Sequence, residues 1–255
     1  MVAARWIDRS RLPPRTPAAA HQRCRQHRTE GENLLSDGSD REGSIEAIGS
    51  FDDTVEIAPC LATRSGGTTS PTVIFLHGRG QSAALVHELA PAFSPARVIA
   101  PPGGIRLRRG RTWFENASIG IARSESVEVA EERFMAWLGR SVPTGCRPWL
   151  CGFSNGGAFA GHLLMRHPER FAGAALLSAP LVLPPWKAGA LRSKLLFYGR
   201  GDRDQVVPSE AFAAAEHYLE SASGAALTRR AYPCGHEIGP EEVSDLANWF
   251  SAAVS

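Results

Sequence analysis

From about Val55 onward, short apolar runs alternate with longer stretches whose apolar positions recur at helical spacing. Six runs read as strands: Thr72 to Leu76, Arg97 to Ala100, Pro148 to Gly152, Ala172 to Leu177, Leu195 to Tyr198 and Leu227 to Tyr232. Five stretches between and after them read as helices: Gln81 to Ala92, Ser126 to Leu138, Gly157 to His167, Ser209 to Ser221 and Pro240 to Ala253. In Ser126 to Leu138, for example, Val127, Ala130, Phe134 and Leu138 share one face, while Glu128, Glu131, Glu132 and Arg133 point elsewhere. Strands that are apolar throughout, rather than alternating, are covered on both sides. The pattern therefore implies an α/β fold with a mostly parallel central sheet and helices on both faces. No internal repeat is present, and one α/β domain is expected over residues 52–255.

The first fifty residues break this pattern. Residues 1–28 hold seven arginines against Asp8, and residues 29–56 hold Arg41 against nine acids. With Pro13, Pro14 and Pro17 and few periodic apolar positions, residues 1–51 read as a disordered charged tail, unable to bury enough surface to offset the entropy of ordering. A passive tail, an arm for an acidic partner and a targeting peptide are the competing readings; Asp8, Glu30 and Glu32 speak against the last.

Composition narrows the class. With 255 residues, 43% hydrophobic and 21% charged, the chain is long enough for one large core and is neither fibrous nor wholly disordered. A net charge of +2 gives no reason to expect a nucleic-acid partner. The apolar run Ala172 to Leu177 is far short of the roughly 20 residues that cross a bilayer, and no apolar signal-peptide core is seen, so no membrane partner is expected. The five cysteines are an odd number without framework spacing, which fits reduced thiols and a cytoplasmic protein. They form no Cys-x-x-Cys pair, and no metal site is expected.

The chemistry centres on Gly152-Phe153-Ser154-Asn155-Gly156-Gly157, between a strand and a helix. A serine at such a corner stands exposed on a tight turn that flanking glycines permit: a nucleophile elbow. Its hydroxyl is a poor nucleophile until a histidine, oriented by a carboxylate, takes the proton. The expected chain order is serine, acid, histidine. His236 lies after the last strand and before the last helix, the third place in that order. The acid comes from the loop after the strand Leu195 to Tyr198, where open α/β sheets build their sites. Asp204, ahead of Gln205-Val206-Val207-Pro208, is preferred there, with Asp202 the alternative. Backbone N–H donors for the developing oxyanion are assigned to Arg79, in His77-Gly78-Arg79-Gly80 after the first strand, and to Asn155, after the serine. The His77 side chain reads as structural.

Together, Leu76-His77-Gly78, Trp113-Phe114, the Ser154 hexapeptide, Gly201 to Asp204 with Val206-Val207-Pro208, and Gly235-His236-Glu237 resemble the phospholipase/carboxylesterase family, which includes bacterial carboxylesterases and acyl-protein thioesterases. The resemblance runs from about residue 72 to 250. It implies an α/β-hydrolase fold that hydrolyses carboxylic esters or thioesters without a cofactor, with Ser154 as nucleophile, His236 as base and Asp204 as its orienter. One departure is Arg200, where family members often carry histidine.

The expected substrate is a small-molecule ester. Between Ser178 and Lys194 there is too little chain for a large lid, which favours short-to-medium acyl chains. Trp113, Phe114, Leu181, Leu183 and Trp186 are candidates for an acyl groove, each with plain packing as the alternative. Arg106-Leu107-Arg108-Arg109-Gly110-Arg111 attracts an anionic substrate or the phosphates of an acyl-coenzyme A if it faces the site. A solvated basic loop is the plainer reading. Beside the carboxylesterase stand two other expectations: a thioesterase using the same residues, and a catalytically inactive binding protein. Oligomeric state leaves no mark in the sequence.

Overall fold

The strand Thr72–Leu76 (β2) is apolar at nearly every position because its side chains, alternating in direction, meet two different cores. Ile74 and Leu76 enter one, Val73 and Phe75 the other. The same division holds along Trp149–Phe153 (β4), where Leu150 faces the first core and Trp149, Cys151 and Phe153 the second. The computed structural model describes residues 55–57, 70–118 and 120–255. The charged stretch over residues 1–51 lies outside them.

Among the described residues the central sheet has seven strands, in the order β1-β3-β2-β4-β5-β6-β7. Here β1 is Val55–Ile57, β3 Arg97–Ala100, β5 Gly173–Leu177, β6 Leu195–Gly201 and β7 Ala226–Tyr232. All neighbours are parallel except β1, which runs antiparallel to β3 with Val55 opposite Ala100. The other edge, β7, is guarded by charge: Arg229 pairs with Glu216 and Glu220, and Arg230 with Asp245. Charged edges discourage pairing with another sheet.

Helices Ser124–Ser141 (α1), Asn155–Arg166 (α2) and Ser209–Ser221 (α3) supply the first core, and Pro240–Val254 (α4) supplies the second. Phe159 of α2 is the aromatic centre of the first core, with ring centroids 5.5 Å from Trp113, 5.7 Å from Phe134 and 6.3 Å from Phe114. The expected helix Gln81 to Ala92 is instead three short pieces, Ala83–Leu85, Val86–Leu89 and Ala90–Phe93, of which only the middle one is α-helical. Pro91, with no N–H to donate and a ring that crowds the preceding turn, prevents a continuous helix. Helix α1 begins two residues before the expected Ser126, whose hydroxyl accepts the Glu115 N–H rather than capping the helix.

The chain leaves β2 to one side for β3 and returns on the other for β4. That reversal opens a crevice at the carboxyl ends of β2 and β4, where ligands of open α/β sheets bind. Residues 178–194, beyond β5, contain turns and no helix, so no helical lid stands over the crevice from this segment. Among the described residues, no helix is long and apolar enough to cross a membrane.

Under the carboxyl end of β6 sits Glu242 of α4, fully buried, with neither carboxyl oxygen meeting a well-placed hydrogen-bond partner. Its carboxyl lies so close to Gly199 that a side chain there would overlap it. Burial pushes it up to about 8, with the Gly239 amide pulling the other way. Between its ordinary value of 4.5 and about 8, the folded chain keeps a proton that the unfolded chain releases. Stability contributed by this group therefore falls as pH rises through that window.

Two predictions follow from this packing. Phe159→Ala is expected to lower the free energy of unfolding by about 3–5 kcal/mol in urea titration; a loss below about 1 kcal/mol would show that the aromatic cluster is dispensable. Glu242→Gln has no proton to lose, so its guanidinium unfolding free energy should fall less between pH 5 and 8 than wild type's, by on the order of a few kcal/mol. Equal slopes for the two proteins would refute the assignment.

Candidate active site

Ser154 joins β4 to α2 with φ 54° and ψ −119°, a left-handed conformation that a non-glycine residue holds only under constraint, at a cost of about 1–3 kcal/mol. The constraint is visible. The Ser154 N–H donates to the Leu177 carbonyl at 2.8 Å, and its own carbonyl accepts the Ala158 N–H at 2.8 Å. A Cβ on Gly152 would overlap the Gly156 carbonyl oxygen, and one on Gly156 would overlap the Leu76 carbonyl oxygen. The two glycines thus let strand and helix close to backbone contact, and the serine is driven outward between them.

The Ser154 Oγ is 2.9 Å from His236 Nε2, and His236 Nδ1 is 2.6 Å from Asp204 Oδ2. The other carboxylate oxygen, Oδ1, accepts the N–H groups of Val206 (2.8 Å) and Val207 (3.1 Å). Burial works against charge on Asp204, but the His236 contact and those two amides outweigh it and hold the carboxyl below its ordinary value. An ionised Asp204 makes Nδ1 the protonated nitrogen and leaves Nε2 to accept the serine proton. The Asp204 side chain is 1% exposed and that of His236 16%. Asp202 points elsewhere: its side chain is 53% exposed and lies 3.8 Å from Arg203. Of the two acids left open by the sequence, Asp204 is the one at the histidine.

Backbone bonds lock the two loops together. Asp202 N–H donates to the Tyr232 carbonyl at 2.8 Å, and Arg203 N–H to that of Cys234 at 3.0 Å. Gly201 touches the backbone of Cys234 and Gly235, so only glycine fits. The Phe153 ring packs against the His236 imidazole with centroids 5.0 Å apart. Arg200, the departure from the family pattern, is engaged by Glu216 at 2.6 Å and lies over the Phe212 ring. It does not contact the Asp204 carboxylate.

The loop after β2 is braced from several sides. Gly103 N–H donates to His77 Nε2 at 3.0 Å, which fixes the tautomer: Nδ1 bears the proton and donates to the Gly78 carbonyl at 2.9 Å. Burial pulls His77 down to about 4, so it is neutral in this role. Trp113 Nε1 donates to the His77 carbonyl (2.8 Å), Gly78 N–H to Gln81 Oε1 (2.8 Å), and Gly80 N–H to the Arg111 carbonyl (2.8 Å). Arg79 sits exposed between these anchored neighbours. Asn155 is the first residue of α2, so its N–H has no acceptor within the helix. Its side chain turns inward, Oδ1 accepting the Thr112 hydroxyl (2.8 Å) and the Trp113 N–H (3.0 Å).

The candidate groove residues are set into packing. Trp113 is 2% exposed and, like buried Phe114, belongs to the Phe159 cluster. Leu181 is buried against Gly161, and Trp186 is half-buried, its Nε1 bonded to the Val182 carbonyl and its ring 5.3 Å from Tyr218. Partly buried Leu183 packs against the same core. What the sequence did not reveal was the bracing: the inward side chain of Asn155, Thr112, Gln81, and the His77 bridge to Gly103. The only available signal was a histidine beside glycine after an apolar strand, and that does not say which atoms it joins.

Among the described residues, no three His, Cys, Asp or Glu side chains gather to hold a metal ion. The sequence model for Phospholipase/Carboxylesterase matches residues 62–254. A probable carboxylesterase of rice, Oryza sativa subsp. japonica, is 28% identical over 217 residues, covering 76% of this chain and 81% of the relative. The fold is that of the Bacillus cereus carboxylesterase structure, with TM-score 0.69 and 21% identity over 78% of this chain and 93% of that one. Zea mays acyl-protein thioesterase 2 superposes with TM-score 0.64 and 20% identity, over 79% and 99% of the two chains. With most of its length matched by the family model, the chain belongs to the phospholipase/carboxylesterase family.

Proposed function

We propose that this carboxylesterase-family hydrolase cleaves carboxylic esters of short-to-medium acyl chains through a covalent acyl-enzyme on Ser154, without a cofactor. The observation that carries the reading is the unbroken chain of short contacts from Ser154 Oγ through His236 to Asp204. His236 Nε2 takes the serine proton as Oγ attacks the ester carbonyl. The oxyanion that forms is received by the N–H groups of Arg79 and Asn155, whose loops are already braced and need no reorganisation at the moment of reaction. His236 then gives its proton to the departing alkoxide. Water, deprotonated by the same nitrogen, releases the acid and restores the serine. Asp204, kept ionised by the His236 contact and its two amide contacts, holds the imidazole in the productive tautomer and stabilises the imidazolium.

The absence of a helical lid over residues 178–194 supports small esters over an interfacial lipid substrate. The three cysteines of the described residues are free thiols, in keeping with a cytoplasmic setting. Thioester cleavage is the second reading, favoured by the likeness to the maize acyl-protein thioesterase, and uses the same steps with a thiolate leaving group.

Ser154→Ala is expected to reduce kcat on a p-nitrophenyl ester ladder by about 10⁴–10⁶-fold with an unchanged circular dichroism spectrum. Wild-type turnover should peak at the shorter chains. Residual activity within tenfold of wild type would sink the mechanism, and a folded wild type inert toward both esters and thioesters would point to a binding protein. Asp204→Asn should cost about 10⁴-fold through the wrong histidine tautomer, while Asp202→Asn stays within a few-fold; the reverse ranking would move the acid to Asp202.

A further inference from the structure

The arginine-rich run after β3 is a hairpin docked on the loop that carries Arg79. Ile105–Arg106 pairs antiparallel with Arg111–Thr112, and Leu107 N–H closes the turn on the Gly110 carbonyl at 3.0 Å. The hairpin is fastened to residues just beyond Arg79: Gly80 N–H donates to the Arg111 carbonyl at 2.8 Å, and Arg111 N–H to that of Gln81 at 2.9 Å. Gly110, at φ 65°, lies in such close backbone contact with Gly80 that a Cβ there would overlap the Gly80 carbonyl. On its other side the same loop reaches the serine corner, because Gly78 abuts the Phe153 ring that packs on His236. A basic run that looks in the sequence like a free solvated loop is therefore fastened to the loop after β2, which on its other side meets the serine corner.

Arg79, Arg106, Arg108 and Arg109 are all exposed, and none pairs with a carboxylate among the described residues. Glu115, the acid that follows in the chain, lies beside Arg123 instead. Two backbone hydrogen bonds hold the hairpin in place, so the backbone that bears these guanidinium groups is fixed relative to the loop after β2. Charges held at the mouth of a low-dielectric cleft concentrate ligands of opposite sign, and arginine forks match carboxylate and phosphate oxygens.

We propose that the hairpin Arg106, Arg108 and Arg109, with Arg79, makes the site selective for esters that carry an anionic group, a carboxylate or a phosphate, beside the scissile bond. The proposal rests on Ser154 being the nucleophile of this crevice. The guanidinium groups bind the anion and orient the ester and take no part in the bond changes.

The test compares matched esters at low and high salt. On the acyl side the pair is p-nitrophenyl hemisuccinate against p-nitrophenyl butyrate. On the alcohol side, p-acetoxybenzoate and p-acetoxyphenyl phosphate are each set against p-acetoxybenzamide, which separates carboxylate from phosphate. Wild type is measured beside Arg108→Glu/Arg109→Glu, with Arg108→Gln/Arg109→Gln as the milder variant should the first fold poorly. The ratio of kcat/KM for anionic over neutral ester, corrected for uncatalysed hydrolysis, is expected to fall about tenfold in the variant for at least one pair. In wild type that ratio should drop several-fold between about 0.02 and 0.5 M salt, as screening shortens the reach of the charges. A ratio unmoved by both charge removal and salt overturns the proposal and leaves a solvated loop. Anionic-ester turnover that is lost in Ser154→Ala but keeps its ratio to the neutral ester in the arginine variant and at high salt overturns this inference alone. Neutral-ester turnover that survives Ser154→Ala overturns the nucleophile assignment and the proposal with it.

Discussion

Backbone against backbone, at the first turn of α2, is the contact on which the site depends. Gly152 and Gly156 let β4, the helix start and the carbonyl of Leu76 approach without an intervening Cβ. That approach forces Ser154 into its left-handed conformation and sets the loop after β2 beside it. The proposed nucleophile and the proposed oxyanion donors are therefore positioned by one packing event. A single methyl group at either glycine would separate them, because the obstructing atoms are backbone carbonyls, that of Gly156 in α2 and that of Leu76 in β2, rather than the ends of flexible side chains.

Around that contact, burial does opposite things to two acid–base groups and one thing to their charge. His77 is pulled down to about 4 and Glu242 is pushed up to about 8, so both are neutral at pH 7. Neutrality suits His77, which must donate from one nitrogen and accept at the other to tie Gly78 to Gly103. Asp204, whose side chain is also withdrawn from solvent, escapes the same fate because His236 and two amide N–H groups replace the water it lost. Glu242 is both deeper and without the hydrogen bonds that Asp204 receives.

Much of the frame was legible in the amino-acid order. All six expected strands are present, the inner ones because strands covered on both faces must be apolar throughout, and Ser209 to Ser221 is found as a helix over its expected span. The order serine, acid, histidine brought Ser154, Asp204 and His236 to one end of the sheet because each follows a parallel strand, and parallel strands share one carboxyl edge. Less legible were elements decided by a single residue or by partners far away. Pro91 broke a helix that apolar spacing alone supported, and β1 is three residues long, recognisable only through its pairing with β3. Choosing Asp204 over Asp202 required knowing which carboxylate turns inward, which the amides of Val206 and Val207 determine.

Local patterning was thus enough for the α/β class, the strand edges and the candidate nucleophile, because periodicity and tight-turn glycines act over a few neighbouring residues. The rest depended on distances between residues remote in the chain. The bridge from His77 to Gly103, the inward amide of Asn155 held by Thr112 and Trp113, and the docking of the Arg106 to Arg111 hairpin on Gly80 and Gln81 all join loops that no periodicity relates. Hydrogen bonds and charges act over a few ångströms of space rather than along the chain, and only the packed sheet brings those loops within that range.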